Sequence, residues 1–179
     1  MGHKHTKAEI LNGALDVAYE IGLSRLTYGQ VANRLGISDR VVVYYFPSKD
    51  DLVSEVLILL GLRLQETLAP AFGAPAADYL GLLRTAWPIL AQATVDPIFA
   101  LFFEANGLAA TGRDPYRVVL PQLVEAWISW AAGFLGGNST DRRTEAETAI
   151  AVVDGLLLLR QVCGPDAAER VATKLGITG

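Results

Sequence analysis

The chain has 179 residues and a net charge of −4, a length that suits one large domain or a small head joined to a larger body. Apolar residues make up 51% of it and mean hydropathy is +0.32. Even so, its richest runs, Val56–Leu60 and Leu156–Leu159, fall far short of the ~20 residues a membrane-spanning helix needs. A lone Cys163 excludes an internal disulfide or a thiolate metal cluster, and it is expected as a small apolar residue on a packed helix.

Taken in chain order, helix signals recur and strand alternation is scarce. Met1-Gly2-His3-Lys4-His5 lacks the apolar stretch of a signal peptide, so a soluble, cytoplasmic protein is expected; His3 and His5 read as a solvated terminus and not as a metal site. Thr6-Lys7-Ala8-Glu9 is a capping box, and behind it Ile10, Leu11, Ala14, Leu15, Val17, Ala18 and Ile21 form a stripe at helical spacing that Gly22 ends. Thr27-Tyr28-Gly29-Gln30 opens a second helix that stops at Gly36, Ser38 caps a short third helix to about Tyr45, and Pro47 breaks the chain. Ser48 caps a long helix to about Leu68, with Asp50 and Asp51 at its positive end. After a break at 72–75, helices are expected over about 77–94, tolerating or kinking at Pro88, then 97–110, 115–135, from Asp141 or Thr144 to Cys163, and 166–175. The fold class is therefore all-α, with about nine helices.

Residues 28–46 carry the strongest pattern. A helix-turn-helix needs a small residue where its two helices pack closely and a glycine in the turn, where the backbone takes positive φ. Ala32 and Gly36 stand four residues apart, and Val31, Leu35, Ile37 and Val42 supply the shared core. The charge distribution agrees in sign: residues 1–50 sum to +1 and the remainder to −5, which places the basic balance where a DNA-binding head needs it.

The run Tyr44-Tyr45-Phe46-Pro47-Ser48-Lys49-Asp50-Asp51-Leu52, with Thr27-Tyr28, Val31-Ala32 and Leu35-Gly36-Ile37-Ser38 before it, resembles the DNA-binding head of the TetR family of regulators. The resemblance covers about residues 6–60; the rest is similar only in helix layout. It implies a three-helix head over residues 1–47 and a helical ligand-binding and dimerisation domain over 48–179. The expected function is a ligand-responsive repressor that binds a palindromic operator in double-stranded DNA as a homodimer and is released by a small apolar effector. The third helix then lies in a major groove, with Ser38, Asp39, Arg40 and Val41 at base edges, Arg40 pairing with guanine O6 and N7. Thr27, Tyr28, Tyr44, Tyr45 and Lys49 are the phosphate candidates, which fix register. The chain departs from the family at Val43, where relatives usually carry a tyrosine. Either Tyr44 or Tyr45 is left to take that contact.

In the body, the helices at about 115–135 and 142–163 are expected to form the homodimer surface. Val118, Val119, Leu123, Trp127 and Trp130 line the first; Ile150, Val153, Leu156, Leu157 and Arg160 line the second, and Gly155 permits close approach. Leu83, Trp87, Leu90, Phe99, Phe102, Phe103 and Trp127 are numerous enough to line an apolar cavity. Leu83, Trp87, Phe99, Phe102, Phe103, Asn106 and Trp127 are the ligand-binding candidates, with Gln92 and Glu104 as further polar orienters. No cofactor and no metal are expected. An enzyme is disfavoured: both histidines lie in the first five positions, away from any Ser/His/Asp or Cys/His set, and no phosphate-binding glycine loop is present. The remaining rival is a helical binding protein whose near-neutral head no longer reads DNA.

Overall fold

The structure is a computed structural model that describes residues 5–178, the side chains of 139 and 140 apart. His3, one of the two histidines weighed above, lies outside the described residues. Nine α-helices and no strand are found among the described residues, in the all-α order expected. They are α1 Lys7–Ile21, α2 Tyr28–Leu35, α3 Asp39–Tyr45, α4 Lys49–Leu68, α5 Tyr79–Leu90, α6 Asp96–Ala110, α7 Tyr116–Ala132, α8 Ser139–Cys163 and α9 Pro165–Lys174, with one 3-10 turn at Ala69–Ala71. None of them is long and apolar enough to cross a membrane.

The chain divides into two compact units. The first comprises residues up to Arg63 with Leu101–Pro121, and the second comprises Leu64–Ala100 with residues from Gln122 on.

In the first unit, local chemistry starts each helix. At α1 the capping box is complete: the Thr6 hydroxyl accepts from the Glu9 N–H at 3.2 Å and the Glu9 carboxylate accepts from the Thr6 N–H at 2.7 Å. At α2 it is one-sided. Thr27 accepts from the Gln30 N–H, but the Gln30 side chain accepts the Thr27 hydroxyl at 2.8 Å and not the backbone N–H. The Ser38 side chain does not cap α3, contrary to expectation. Its carbonyl takes the Val41 N–H instead, at 2.9 Å, in the tight i→i+3 manner of a helix end. Ile10, Leu15, Leu23, Leu26, Val31, Val42 and Phe46 are buried and form the core that holds the three helices.

In the second unit the polar ties are long-range. The Trp87 indole N–H of α5 donates to Glu169 of α9 at 3.0 Å, the Tyr79 N–H donates to Glu145 of α8 at 2.6 Å, and Arg84 reaches the Gly176 carbonyl at 2.8 Å. Arg160 of α8 forks onto the Asp96 carboxylate at 2.6 and 3.0 Å. Helix α5 is shorter than the 77–94 expected. Asp78 caps its start, and it ends at Leu90, two residues after Pro88, whose missing N–H weakens the last turn. Helix α7 stops at Ala132 and not 135, because Phe134 and Gly136 leave it to bond the backbone of Ala76 at 2.8 and 2.9 Å. Phe72 then stacks on Phe134, with Trp130 edge-on to both.

Three expectations for α8 are corrected. Leu156 and Leu157 are buried inside the second unit, and Arg160 is occupied by Asp96, so none of them faces outward. Cys163, expected in packing, is exposed at the helix end. The exposed residues of α8 include Ala151, Gly155, Leu158 and Val162.

Candidate nucleic-acid interface

Helix α3 is fixed from behind by Val42, the one residue it buries. The Gly36 turn that leads into it has φ +65° and ψ +35°, a left-handed conformation that a glycine adopts without steric cost. The Ile37 N–H closes that turn onto the Ala32 carbonyl at 3.0 Å. At about 100° per residue, Asp39, Val43, Arg40 and Tyr44 follow one another around the side of α3 away from Val42. All four are exposed, while Val41 and Tyr45 at the flanks are half-buried. The structure therefore brings Asp39 and Arg40 onto one outward arc, with Ser38 exposed just ahead of it, and leaves Val41 at its margin.

The phosphate candidates separate by what their hydroxyls already do. The Tyr45 hydroxyl donates to the His5 carbonyl at 3.0 Å and the Tyr28 hydroxyl to the Phe46 carbonyl at 2.9 Å. Burial pushes the Tyr28 phenol up from its ordinary value, and Asp51 and Asp50 add to this, so it stays a neutral donor. Tyr44 is 78% exposed, its ring edge-on to Tyr45 with centroids 5.0 Å apart. Thr27 is exposed but serves its cap. Lys49 is exposed, with its ammonium 3.3 Å from the Ser24 carbonyl. Ser48 and Asp51 cap the start of α4 reciprocally, at 3.0 and 3.1 Å.

Two other head cations are drawn off by acids. Lys7 pairs with Glu55 at 2.6 Å, and Arg34 with Glu20 at 2.6 Å and Asp16 at 3.9 Å. Arg40 makes no ion pair with any described residue, which leaves its guanidinium available on the arc.

Two features take roles that sequence reasoning did not give them. Val43, 42% exposed, sits on the arc between Asp39 and Arg40; only the helical period separates it from its buried neighbour Val42. The second is Glu104 of α6, weighed as a ligand orienter. Its carboxylate accepts from the Leu23 N–H at 2.8 Å, the Ser24 N–H at 2.9 Å and the Ser24 hydroxyl at 2.7 Å, clamping the loop between α1 and α2. Gly22 has φ +86°, and a Cβ there would lie 2.9 Å from the Glu104 carboxylate. Burial alone would raise the Glu104 carboxyl, but the Ser24 and Leu23 donors and the charge of Arg25 outweigh it and hold it below the ordinary value. With a partner 81 positions away, no local pattern announces this bond.

The ligand-binding candidates fall in both units. In the second unit, Leu83, Trp87 and Phe99 are buried, while Trp127 is half-buried with its ring 5.1 Å from Trp130. In the first, Phe102 and Phe103 are half-buried with centroids 5.8 Å apart, and the Asn106 amide donates to the Phe102 carbonyl at 2.9 Å. Gln92 is exposed and bonds its own Pro88 carbonyl. No group of three or more His, Cys, Asp or Glu suited to hold a metal occurs among the described residues.

A short helix with a polar arc, held by a glycine turn against a buried core, defines a DNA-binding regulator of the helix-turn-helix class. Residues 10–56 match the family described as bacterial regulatory proteins, tetR family. No curated protein matches the chain. Solved structures share its fold over nearly its whole length. A transcriptional regulator from Rhodococcus sp. Rha1 has 22% identity and TM-score 0.74, covering 97% of this chain and 94% of the other. A TetR transcriptional regulator from Legionella pneumophila has 20% identity and TM-score 0.65, covering 98% and 97%. The multidrug binding protein EbrR in complex with proflavin has 24% identity and TM-score 0.66, covering 94% and 98%.

Proposed function

We propose that the protein is a ligand-responsive repressor that binds a palindromic operator as a homodimer and leaves it when a small apolar effector binds. The observation that carries the DNA reading is the outward arc of α3, where Arg40 stands exposed and without an acid partner. Residues 1–47 act as the reading head and 48–179 as the body. Ser38, Asp39, Arg40 and Val41 approach base edges, and Thr27, Tyr28, Tyr44, Tyr45 and Lys49 approach phosphates. Of the two tyrosines that follow Val43, Tyr44 is the one with its hydroxyl outward.

One small head gives limited affinity, so two half-sites call for two copies. Support for the pairing surface is the α8 stripe of Ala151, Gly155, Leu158 and Val162, spaced four, three and four residues apart on one face and exposed. Beyond Gly155 nothing lies within 4 Å of where a Cβ would stand, which leaves room for a close helix approach. The effector reading draws on EbrR, a relative in fold whose structure holds proflavin. Leu83, Trp87, Phe99 and Trp127 in the second unit, and Phe102, Phe103 and Asn106 in the first, are proposed as effector contacts. Because effector and DNA are linked, DNA weakens effector binding by the same factor.

Gel-shift titrations against duplexes selected from a random pool test the head. Arg40→Ala is expected to relax preference at one or two base pairs and to cost about 1–3 kcal/mol on the preferred site. Lys49→Ala weakens all duplexes alike and lowers the salt slope by about one. Unchanged binding in both variants would reject the assignment.

A further inference from the structure

We infer that Val43 reads sequence: its side chain packs on the C5-methyl group of a thymine, next to a guanine taken by Arg40. The inference rests on the DNA reading proposed above and adds to it the identity of a second base.

Among the described residues of the head, up to Pro47, Val43 and Tyr44 are the two large apolar residues left exposed. Every other large apolar side chain there is buried or half-buried. The exposure is therefore local to the arc. Within it Val43 lies between Asp39, four residues before it, and Arg40, three before it, so it stands on the outward arc beside the guanidinium.

The chemistry of the groove narrows what an apolar residue at that place can meet. Base edges in the major groove present acceptors at guanine O6 and N7, adenine N7 and thymine O4, and amino donors on adenine and cytosine. A valine set against any of these strips water from a polar group and returns no hydrogen bond, which is unfavourable. The thymine methyl is the one apolar group on those edges. Valine suits it further because its branched Cβ holds one strongly preferred rotamer in a helix, so its methyl groups are presented without loss of side-chain freedom. Arg40 on the adjacent line of the helix places the guanine within one or two base pairs of that thymine.

The test begins with duplexes selected from an unmodified random pool by the wild-type protein. Each thymine of the selected half-site is then replaced in turn by deoxyuridine, which removes the methyl group alone. One thymine per half-site, within two base pairs of a guanine, is expected to respond, with affinity falling about three- to fivefold per half-site. In Val43→Ala the difference between thymine and deoxyuridine duplexes should shrink, and in Val43→Ser, which carries no methyl group, the two should bind alike. Melting curves should stay at the wild-type midpoint, since the residue is exposed. If no thymine responds in the wild type, or if the same thymine responds equally in Val43→Ala, the assignment is overturned while the DNA reading stands. If no duplex is enriched at all, both fall together.

Discussion

The head and the second unit are held by bonds of different reach. In the head, the contacts that start the helices join residues three positions apart, as at Thr6 and Glu9 or Thr27 and Gln30. In the second unit the ties join positions 64 to 92 apart: Arg160 to Asp96, Tyr79 to Glu145, Trp87 to Glu169 and Arg84 to Gly176. A locally specified head can carry varied residues on its outward arc without altering its frame. A body assembled by distant pairs decides, by those pairs, which face of each helix is left over for a partner. Changes on the α3 arc should therefore alter binding and spare stability, whereas changes in the body should act through assembly or stability and leave base preference alone.

The largest expected effect lies on the leftover face of α8. Leu158→Glu with Val162→Glu places two charges on the exposed stripe. Val162 is 74% exposed in the single chain, so the fold of one copy tolerates the change. Operator affinity should fall at least a hundredfold as the second half-site is lost, and sedimentation should show a monomer where the wild type is expected to run as a dimer. A double variant that still sediments as a dimer would move the pairing surface elsewhere and break the contrast just drawn.

Glu104 of the first unit ties the loop between α1 and α2 from 81 positions away, and its removal sharpens the contrast. Glu104→Ala strands the N–H groups of Leu23 and Ser24 in a part-buried loop. Two lost acceptor bonds of that kind should cost about 2 kcal/mol in urea unfolding. Because the folded carboxyl titrates below its ordinary value, the unfolded chain binds more protons as acid is added. The wild type should thus hold this stability above about pH 4.5 and lose it as the pH falls through the folded value. The variant's stability should vary less over the same range. Its preference among duplexes should match the wild type, in contrast to Arg40→Ala.

Elements were legible where a residue's role follows from its near neighbours. Thr6 with Glu9, and Ala32 with Gly36, announce α1 and the turn before α3, and the arc of Asp39 and Arg40 follows from period alone. What was not legible depended on distance. Leu156 and Leu157 look the same as any outward leucine until the packing of α8 beside α5 and α9 turns them inward. Glu104 stands in the run Phe102-Phe103-Glu104-Ala105-Asn106, and nothing in that run points to Leu23. Val43 stands out in the sequence only as a departure from the family, for a related reason: in the Val41-Val42-Val43 run, the buried and the exposed member differ only by the phase of the helix. The end of α7 was misplaced because Ala76, almost sixty residues away, decides it.

A smaller effect tests whether the body is tuned for stability at all. Asp154 of α8 is half-buried, beside Ile150 and Leu157 on its own helix face, and burial pushes its carboxyl up from 3.8 to about 6. Desolvation is the sole cause, so no cation offsets it. At neutral pH the folded chain holds the ionised group in a poorly solvated place, and the unfolded chain does not. Asp154→Asn keeps the shape and removes the charge, so it should raise stability by about 1 kcal/mol at pH 7.5, once the water that reaches a half-buried group is allowed for. The gain should shrink as the pH falls through 6 and vanish below 4, where the carboxyl is protonated in both states. A body selected for stability alone would not keep a penalty that one amide removes. If the variant is instead less stable at pH 7.5, Asp154 has a partner that its present surroundings do not supply, and the second copy of α8 is the first place to look for it.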